Sequence, residues 1–172
     1  MLELNGVMII TMQKQGEHIH MLEIERKFLI RKNLWQPREA GDFIAQGYLC
    51  AEPNRTVRVR VRGDKGFLTV KGQTDGIARA EYEYPIPVGD AKEMLKLCSQ
   101  PVLSKVRHTE MWHGFAWEID VFEGDNAPLI LAEIELPSPD TEFSAPPWLE
   151  REVSADKRYF NSYLAAHPYS TW

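Results

Sequence analysis

Pairs of carboxylate side chains at alternate positions are the feature of this sequence that most directly suggests chemistry. The pairs are Glu23 and Glu25, Glu81 and Glu83, Glu118 and Asp120, and Glu133 and Glu135. On a β-strand, side chains two positions apart share a face and lie about 6–7 Å apart, so two carboxylates in this arrangement repel each other. A bound cation relieves that repulsion, and carboxylate oxygens suit hard ions such as Mg²⁺ and Ca²⁺. A solvated strand edge explains one pair, but four pairs favour a metal site.

Basic side chains show the same alternate spacing in other segments. Arg58, Arg60 and Arg62 alternate along one segment, and Lys105 and Arg107 along another. Arginine can bind two phosphate oxygens at once through its planar guanidinium, and lysine adds a point charge. A basic surface strand that discourages aggregation is the alternative explanation. Together with the acidic pairs, these residues favour a site that handles phosphate groups with a divalent metal.

The bulk composition fits one ordinary globular domain and excludes several classes of protein. The 172 residues are 44% hydrophobic and 26% charged, and the net charge of -5 argues against a general nucleic-acid-binding protein. No run of about 18 apolar residues is present, so no membrane span is expected. Two cysteines, Cys50 and Cys98, predict a reducing cytoplasm rather than a disulfide framework.

Alternating polarity and hairpin-type turns predict a mainly β protein. The predicted strands cover residues 21–30, 42–50, 56–62, 67–71, 79–86, 102–112, 115–122 and 129–136. Three helices are predicted over residues 33–40, 90–99 and 156–166, with Asp90 as the N-cap of the second. The proline-rich segment 137–148 is predicted to be a loop.

Most predicted strands have one ionic face and one apolar face, which leaves two architectures open. Ionic faces in contact with water would leave the apolar faces to pack as a sandwich or a filled barrel, and composition alone favours this arrangement. Ionic faces turned inward would line a wet cavity, and helices would cover part of the apolar exterior. The separation of acids and bases along the strands favours the second, because solvated faces usually mix the two charges.

A family resemblance emerges from these residues. The segment Glu23-Ile24-Glu25-Arg26-Lys27-Phe28 resembles the Glu-x-Glu-x-Lys signature of the CYTH domain, or triphosphate tunnel metalloenzyme, family. Further segments similar to the family follow in its order at residues 46–49, 58–60, 68–71, 79–83, 105–107, 117–122, 132–135 and 152–159. The similarity is to short, single-domain bacterial members. It implies an α+β, mainly β fold, in which an eight-stranded antiparallel β-barrel forms a tunnel with a charged interior and a few flanking helices.

The resemblance also implies roles for individual residues. The expected triphosphate-binding residues are Lys27, Arg58, Arg60, Lys71, Arg79, Lys105 and Arg107. The expected ligands of a divalent metal, Mg²⁺ or Mn²⁺, are Glu23, Glu25, Asp120, Glu133 and Glu135, with Glu81, Glu83 and Glu118 as supporting carboxylates. The residues expected to act in catalysis are Glu25, Lys27, Arg58, Arg60 and Glu133.

The implied activity is metal-dependent hydrolysis of a triphosphate, with inorganic tripolyphosphate as the leading substrate. The short chain supports that choice, since it has no added domain that could recognise a base. The alternatives are an adenylate cyclase of the CYTH type, which converts ATP to cyclic AMP, and a non-catalytic phosphate- or polyphosphate-binding module. A third alternative is a structural β-protein with charged outer faces. Charged side chains that face inward would exclude this alternative.

The expected organisation is a single CYTH-like domain over residues 21–172. Residues 1–20 are expected to form a flexible N-terminal extension, because the family signature usually lies near the start of the chain. The expected partner is a small anionic triphosphate. Neither nucleic acid nor a membrane is expected, a homodimer is compatible with this reading, and the expected location is cytoplasmic.

Overall fold

A computed structural model describes residues 22–172, which form a barrel of eight antiparallel strands with a short ninth strand beside it. Strands β1 to β9 are Leu22–Ile30, Asp42–Glu52, Arg55–Arg62, Lys65–Lys71, Ala78–Ile86, Leu103–Trp112, Phe115–Phe122, Ile130–Glu135 and Leu149–Glu152. Helices α1 and α2 are Val88–Leu95 and Asn161–Ala166. The extension predicted for residues 1–20 lies outside the described residues. No helix within residues 22–172 is long and apolar enough to cross a membrane.

Strand β1 closes the barrel by pairing along both of its edges. The strand order is β5-β4-β3-β2-β6-β7-β8-β1, and the ring closes where residues 22–24 of β1 pair with β5. Residues 25–29 pair with β8, and the end of β1 also pairs with β9. Closure leaves none of the eight strands with a free edge. The eight predicted strands are confirmed to within two residues at each end, whereas β9 was not predicted.

The apolar faces lie on the outside of the barrel, which contradicts the preference drawn from composition alone. Ile24, Phe28 and Ile30 of β1 pack with Trp117 of β7 in a buried cluster on the exterior. The long loop that precedes β9 covers this cluster with Trp148, whose ring meets Trp117 at right angles, 5.5 Å between centroids. The opposite strand face therefore points inward, as the separation of acids and bases along the sequence predicted.

Helix α1 covers a second stretch of the exterior, over β3 and β4. Ala91 is fully buried there against Val59 and Val61. A Cβ atom on Gly66 of β4 would come within 2.8 Å of the Ala91 Cβ, so glycine permits the close approach of helix and sheet. Coverage of the apolar wall by a helix is what the inward-charge architecture requires.

The helix predictions were less accurate than the strand predictions. Residues 33–40 form turns and extended chain instead of a helix, because Pro37 interrupts the segment and Trp35, 6% exposed, anchors it to the core. The second helix begins at Val88 after Pro87, and Asp90 makes no capping hydrogen bond, so that cap assignment is wrong. The predicted helix over 156–166 is divided into a 3₁₀ turn at residues 157–159 and α2.

Candidate active site

All of the predicted site residues face the barrel interior or its rim. Pairs of neighbouring strands establish this, since residues opposite each other in the register share a face: Lys27 lies opposite Glu133, and Arg107 lies opposite Asp120. The interior charges are deeply buried, with Lys105 exposed by 1% and Asp120 by 0%. The alternative of a structural β-protein with charged outer faces is therefore excluded.

One ion-pair network joins β1, β6, β7 and β8. Glu133 accepts from Lys27 Nζ at 2.5 Å and from Arg107 Nη2 at 2.8 Å. Asp120 receives both arms of Arg107, each at 2.6 Å, and Lys105 Nζ at 2.5 Å. Burial alone would raise the pKa of Asp120, but Arg107 and Lys105 outweigh it and lower that pKa. These two carboxylates act as internal counterions for the buried bases.

A neighbouring network joins β1 to β4 and β5. Lys71 Nζ lies 3.0 Å from each carboxylate oxygen of Glu23 and 2.7 Å from Glu81 Oε2. Arg79 Nε donates to Glu23 at 2.7 Å. Burial and the adjacent Glu23 carboxylate raise the pKa of Glu81 to about 7, although the positive charge of Lys71 acts to lower it. Two acids thus compete for the same lysine, and Glu81 is the one that binds a proton near neutral pH.

The remaining network lies between β3, β4 and β5. Arg60 Nη2 donates to both oxygens of Glu83 at 2.9 Å, and Arg58 Nη2 reaches the same carboxylate at 3.3 Å. Thr69, fully buried, donates to Glu83 at 2.8 Å and accepts from Arg58 at 3.1 Å. Glu83 therefore contacts both arginines, and Arg58 Nη2 also lies 3.7 Å from Glu81 Oε1.

The interior charges fall into two groups by the direction of their pKa shifts, a basic side made of Arg60, Lys71 and Lys105 and an acidic side made of Glu25 and Glu135. On the basic side, burial and the repulsion of Arg58 lower the pKa of both Arg60 and Lys71. Burial also lowers the pKa of Lys105 to about 8, although Asp120 opposes it. Because burial is the largest cause, these shifts show that the nearby carboxylates do not fully offset the lost hydration of the three cations. An anion of high charge, such as a polyphosphate, would supply further negative charge.

The acidic side shows the opposite imbalance. Glu25 lies opposite Glu135 in the register of β1 and β8. Burial and the neighbouring Glu133 raise the pKa of Glu25, despite its ion pair with Lys27. Partial burial and the nearby Glu23 and Glu118 carboxylates raise the pKa of Glu135, which is exposed at the rim of the barrel. These carboxylates have more negative charge around them than the basic side chains neutralise.

The donor chemistry fits a hard divalent cation, although the present geometry is one of ion pairs. Within residues 22–172, no three acidic, histidine or cysteine side chains converge at metal-binding distance. Four of the five expected metal ligands instead contact lysine or arginine side chains. For the fifth, Glu135, no ion pair is found in the described part of the chain. Carboxylate oxygens, in their ionised form, are suitable ligands for Mg²⁺ or Mn²⁺.

The residue-level predictions missed neutral groups inside the barrel. Gln46 and Thr69 are completely buried, and Tyr48 is 5% exposed. Gln46 lies opposite Arg60 and Tyr48 opposite Arg58 in the pairing of β2 with β3. Once the inward face of β3 is assigned, the same alternation along β2 identifies Gln46 and Tyr48 as residues that face the interior.

Ion pairs fill much of the interior, so a triphosphate must displace them. Two surface pockets of about 400 Å³ lie outside the barrel, one beside Trp35 and Trp148 and one beside Arg26 and Phe143. Neither includes a predicted site residue. Entry of a triphosphate would exchange carboxylate counterions for phosphate oxygens on the same bases, which leaves the acids available for a metal.

The raised pKa of Glu81 predicts a pH-dependent stability. Its pKa is about 7 in the fold against 4.5 unperturbed, so the unfolded chain releases this proton first and the barrel loses stability as pH rises from about 4.5 to about 7. The free energy of unfolding of the variant E81Q, measured with urea, should rise relative to that of the wild type by on the order of 2 kcal/mol between pH 5 and pH 8. The exposed carboxylate Glu52, paired with Arg55, provides the control E52Q, whose difference from wild type should stay under about 1 kcal/mol. A pH-independent difference for E81Q would contradict the assignment.

A charged, closed antiparallel barrel of this kind defines a family. A family model described as the CYTH domain matches residues 21–163. The chain therefore belongs to the CYTH domain family. Membership implies a divalent metal, in agreement with the oxygen donors on the acidic side.

Two curated relatives carry the same description, inorganic triphosphatase. The protein from Acetivibrio thermocellus is 47% identical over 151 residues, which cover 87% of this chain and 97% of the relative. The protein from Nitrosomonas europaea is 37% identical over 150 residues, which cover 84% of this chain and 97% of the relative.

Solved structures agree with the fold. A crystal structure of an inorganic triphosphatase matches with a TM-score of 0.60 at 34% identity, covering 83% of this chain and 93% of that one. A protein from Hippeastrum, described as having a dominant triphosphatase activity, matches with a TM-score of 0.51 at 15% identity over 69% of this chain and 80% of that one. At that identity the second match supports the fold alone.

Proposed function

We propose that this protein is a divalent-metal-dependent triphosphatase whose leading substrate is inorganic tripolyphosphate. The observation that carries the proposal is the set of lysine and arginine side chains that lie with carboxylate counterions inside a closed barrel, among them Arg58, Lys71 and Lys105. Two relatives, 47% and 37% identical to this chain, are described as inorganic triphosphatases, which supports the same activity here.

The basic side chains bind the phosphate groups in this proposal. Arg58 and Arg60 lie two residues apart on β3, and each carries an Nε atom that is buried without a hydrogen-bond partner. Guanidinium groups with free N–H donors are suited to phosphate oxygens. The other proposed contacts come from Lys27, Lys71, Arg79, Lys105 and Arg107 around the interior.

The acidic side would hold Mg²⁺ or Mn²⁺ in this proposal. The proposed ligands are Glu23, Glu25, Asp120, Glu133 and Glu135, supported by Glu81, Glu83 and Glu118. When bound, the metal would supply charge neutralisation at the phosphate oxygens and activate water. The carboxylates themselves orient water and hold the bases in place before the substrate enters.

The bases also lower the barrier to phosphoryl transfer. Negative charge spreads over the oxygens of the transferred group in the transition state, and fixed cations in a dry interior stabilise it with little reorganisation. Arg107, 8% exposed and held by Glu118, Asp120 and Glu133, is well fixed for this role. Lys27, between Glu25 and Glu133, connects the basic and acidic sides.

Two other functions remain to be separated from this one. An adenylate cyclase of the CYTH type would need an adenine site in addition to the charged interior. A non-catalytic phosphate- or polyphosphate-binding module would keep the bases but would have no use for the unbalanced carboxylates Glu25 and Glu135. Those carboxylates are the reason that hydrolysis is preferred to binding alone.

A substrate panel tests the proposal. Phosphate release from tripolyphosphate, ATP and thiamine triphosphate is measured with Mg²⁺, with Mn²⁺ and with a chelator, and cyclic AMP is assayed in the ATP reactions. We expect metal-dependent release that is fastest with tripolyphosphate. Cyclic AMP formation would support the cyclase, and tight binding of tripolyphosphate without release would support the binding module.

The cellular setting is also part of the proposal. Cys50 and Cys98 are both free thiols, which is consistent with a reducing cytoplasm. The proposed partner is a small anionic triphosphate, with neither nucleic acid nor a membrane involved. A homodimer is compatible with the proposal, and the proposed domain spans residues 21–172.

A further inference from the structure

The backbone N–H of Lys27 lies at a junction along the edge of β1. Strand β5 covers this edge as far as Glu25, whose N–H donates to the carbonyl of Ile77 at 3.2 Å. Strand β9 covers it again from Phe28, which pairs with Glu152. Because alternate residues of a strand direct their N–H groups to the same edge, the N–H of Lys27 points to the interval between the two strands.

The hydroxyl group of Ser154 fills this interval. Its Oγ atom accepts the N–H of Lys27 at 2.9 Å and donates to Glu152 Oε1 at 2.7 Å. The preceding residue, Val153, donates its own N–H to the carbonyl of Lys27 at 2.8 Å. Val153 is 3% exposed and belongs to the buried apolar cluster that contains Tyr159, so Ser154 is anchored through its neighbour to the core. A side chain thus replaces a strand partner at this one residue of β1.

The side chain of the same lysine carries its charge into the barrel interior. Lys27 Nζ lies 2.5 Å from Glu133 Oε1 and also contacts Glu25, a proposed metal ligand. Because the side chain starts from the backbone, a shift of β1 at this residue moves the ammonium group relative to both carboxylates. A displacement of about 1 Å in a site of this kind can cost on the order of a hundredfold in rate.

We propose that Ser154 is a positioning residue for turnover, whose hydroxyl fixes the backbone of Lys27 and thereby the place of its ammonium group beside the bound triphosphate. The inference rests on the proposed function, since it concerns the same site. Within residues 22–172, the hydrogen bonds of Ser154 reach the proposed site through the backbone of Lys27 alone. The charge of Glu152 is not part of this role, because glutamine would also offer an oxygen to the hydroxyl.

Steady-state kinetics of tripolyphosphate hydrolysis by the full chain with Mg²⁺ test this role. We expect S154A to lower kcat about tenfold and to change KM less than about twofold. Several bases share the binding of the substrate, whereas turnover depends on the exact place of one of them. S154T keeps a hydroxyl group on the same Cβ atom and should restore most of the lost kcat. The control S138A removes an exposed hydroxyl that contacts Thr141, and it should keep the kcat of the wild type.

Amide hydrogen exchange gives a readout that does not depend on catalysis. The N–H of Lys27 should exchange about tenfold faster in S154A than in the wild type, because it loses its acceptor, and it should be slow again in S154T. The N–H of Glu25, which donates to Ile77, should keep its exchange rate in all three proteins. A general loss of stability would accelerate the exchange of both amides.

A double-mutant cycle separates positioning from an independent structural effect. K27M/S154A should turn over tripolyphosphate no more slowly than K27M, because Ser154 acts through Lys27. Glu133 keeps Arg107 as its partner in K27M. Where K27M folds poorly, the comparison of S154A with S154T and the exchange of the Lys27 amide still decide the question.

The outcomes distinguish this inference from the proposed function. Wild-type kcat in S154A, or a loss that S154T does not restore, would overturn the inference while the wild type still hydrolyses tripolyphosphate. Equal acceleration of the Lys27 and Glu25 amides in S154A would overturn it as well. A wild type that neither binds nor hydrolyses tripolyphosphate would overturn the proposed function, and this inference with it.

Discussion

Replacing Glu25 with glutamine, E25Q, is expected to lower metal-dependent turnover of tripolyphosphate by about a thousandfold while the barrel stays folded. Glu25 is a buried carboxylate whose pKa is raised by burial and by Glu133, so the free protein gains nothing from its charge beyond one contact with Lys27. Lys27 keeps its ion pair with Glu133 in the variant. The thermal midpoint should therefore be unchanged or higher, and the affinity for Mn²⁺ should fall together with kcat.

A matched control lies on the neighbouring strand β9. Glu152 pairs with Arg26, the residue that follows Glu25 on β1, so E152Q removes a carboxylate that is outside the barrel interior. E152Q should keep its turnover and its Mn²⁺ affinity. E135Q should behave like E25Q. Full activity in E25Q or in E135Q would remove that residue from the metal site.

Replacing Asp120 with asparagine, D120N, is expected to destabilise the protein by about 3–5 kcal/mol, the usual cost of leaving a buried charge without its partner. Asp120 is completely buried and is the main counterion of Lys105, whose next contact is Asn161 Oδ1 at 3.4 Å. Arg107 is less affected, since it retains Glu118 and Glu133. Urea unfolding of both proteins measures the difference.

The pH dependence of D120N identifies the cause. Burial lowers the pKa of Lys105 to about 8 even though Asp120 raises it. Removing Asp120 should lower that pKa further. The loss of unfolding free energy in D120N should therefore be largest below pH 7, and it should shrink as pH rises through about 8, where Lys105 becomes neutral in the wild type too. The exposed pair of Asp42 and Arg62 gives the control D42N, with an expected loss under about 1 kcal/mol. A deficit that does not change with pH would point to lost packing instead.

The sequence predicted well whatever depends on alternation within one strand. Alternation alone puts Glu23, Glu25 and Lys27 on one face of β1 and Ile24, Phe28 and Ile30 on the other, and the barrel keeps that division. The clustering of acids and of bases also predicted which face points inward, where composition alone did not. Arg26, which interrupts the apolar face, is explained only by the fold, since it pairs with Glu152 of β9 and lies over the ring of Phe143.

Contacts between distant parts of the chain could not be predicted in this way. Glu23 meets Lys71 and Arg79 because β1 closes against β5, and barrel closure is not encoded in any local pattern. Strand β9 has four residues with no apolar alternation, and it forms beside β1, where the backbone N–H of Lys27 also donates to Ser154 Oγ at 2.9 Å. The helix predicted over 33–40 failed for a related reason, since burial of Trp35 decided the conformation of that segment.

The measurement that tests the central claim most directly is a ³¹P NMR time course of tripolyphosphate with the wild-type protein and Mg²⁺. The charged interior predicts that the tripolyphosphate resonances are replaced by those of pyrophosphate and orthophosphate in equal molar amounts, and that a chelator stops the conversion. Tripolyphosphate that remains intact with folded protein and either Mg²⁺ or Mn²⁺ would contradict the assignment of hydrolysis to this barrel.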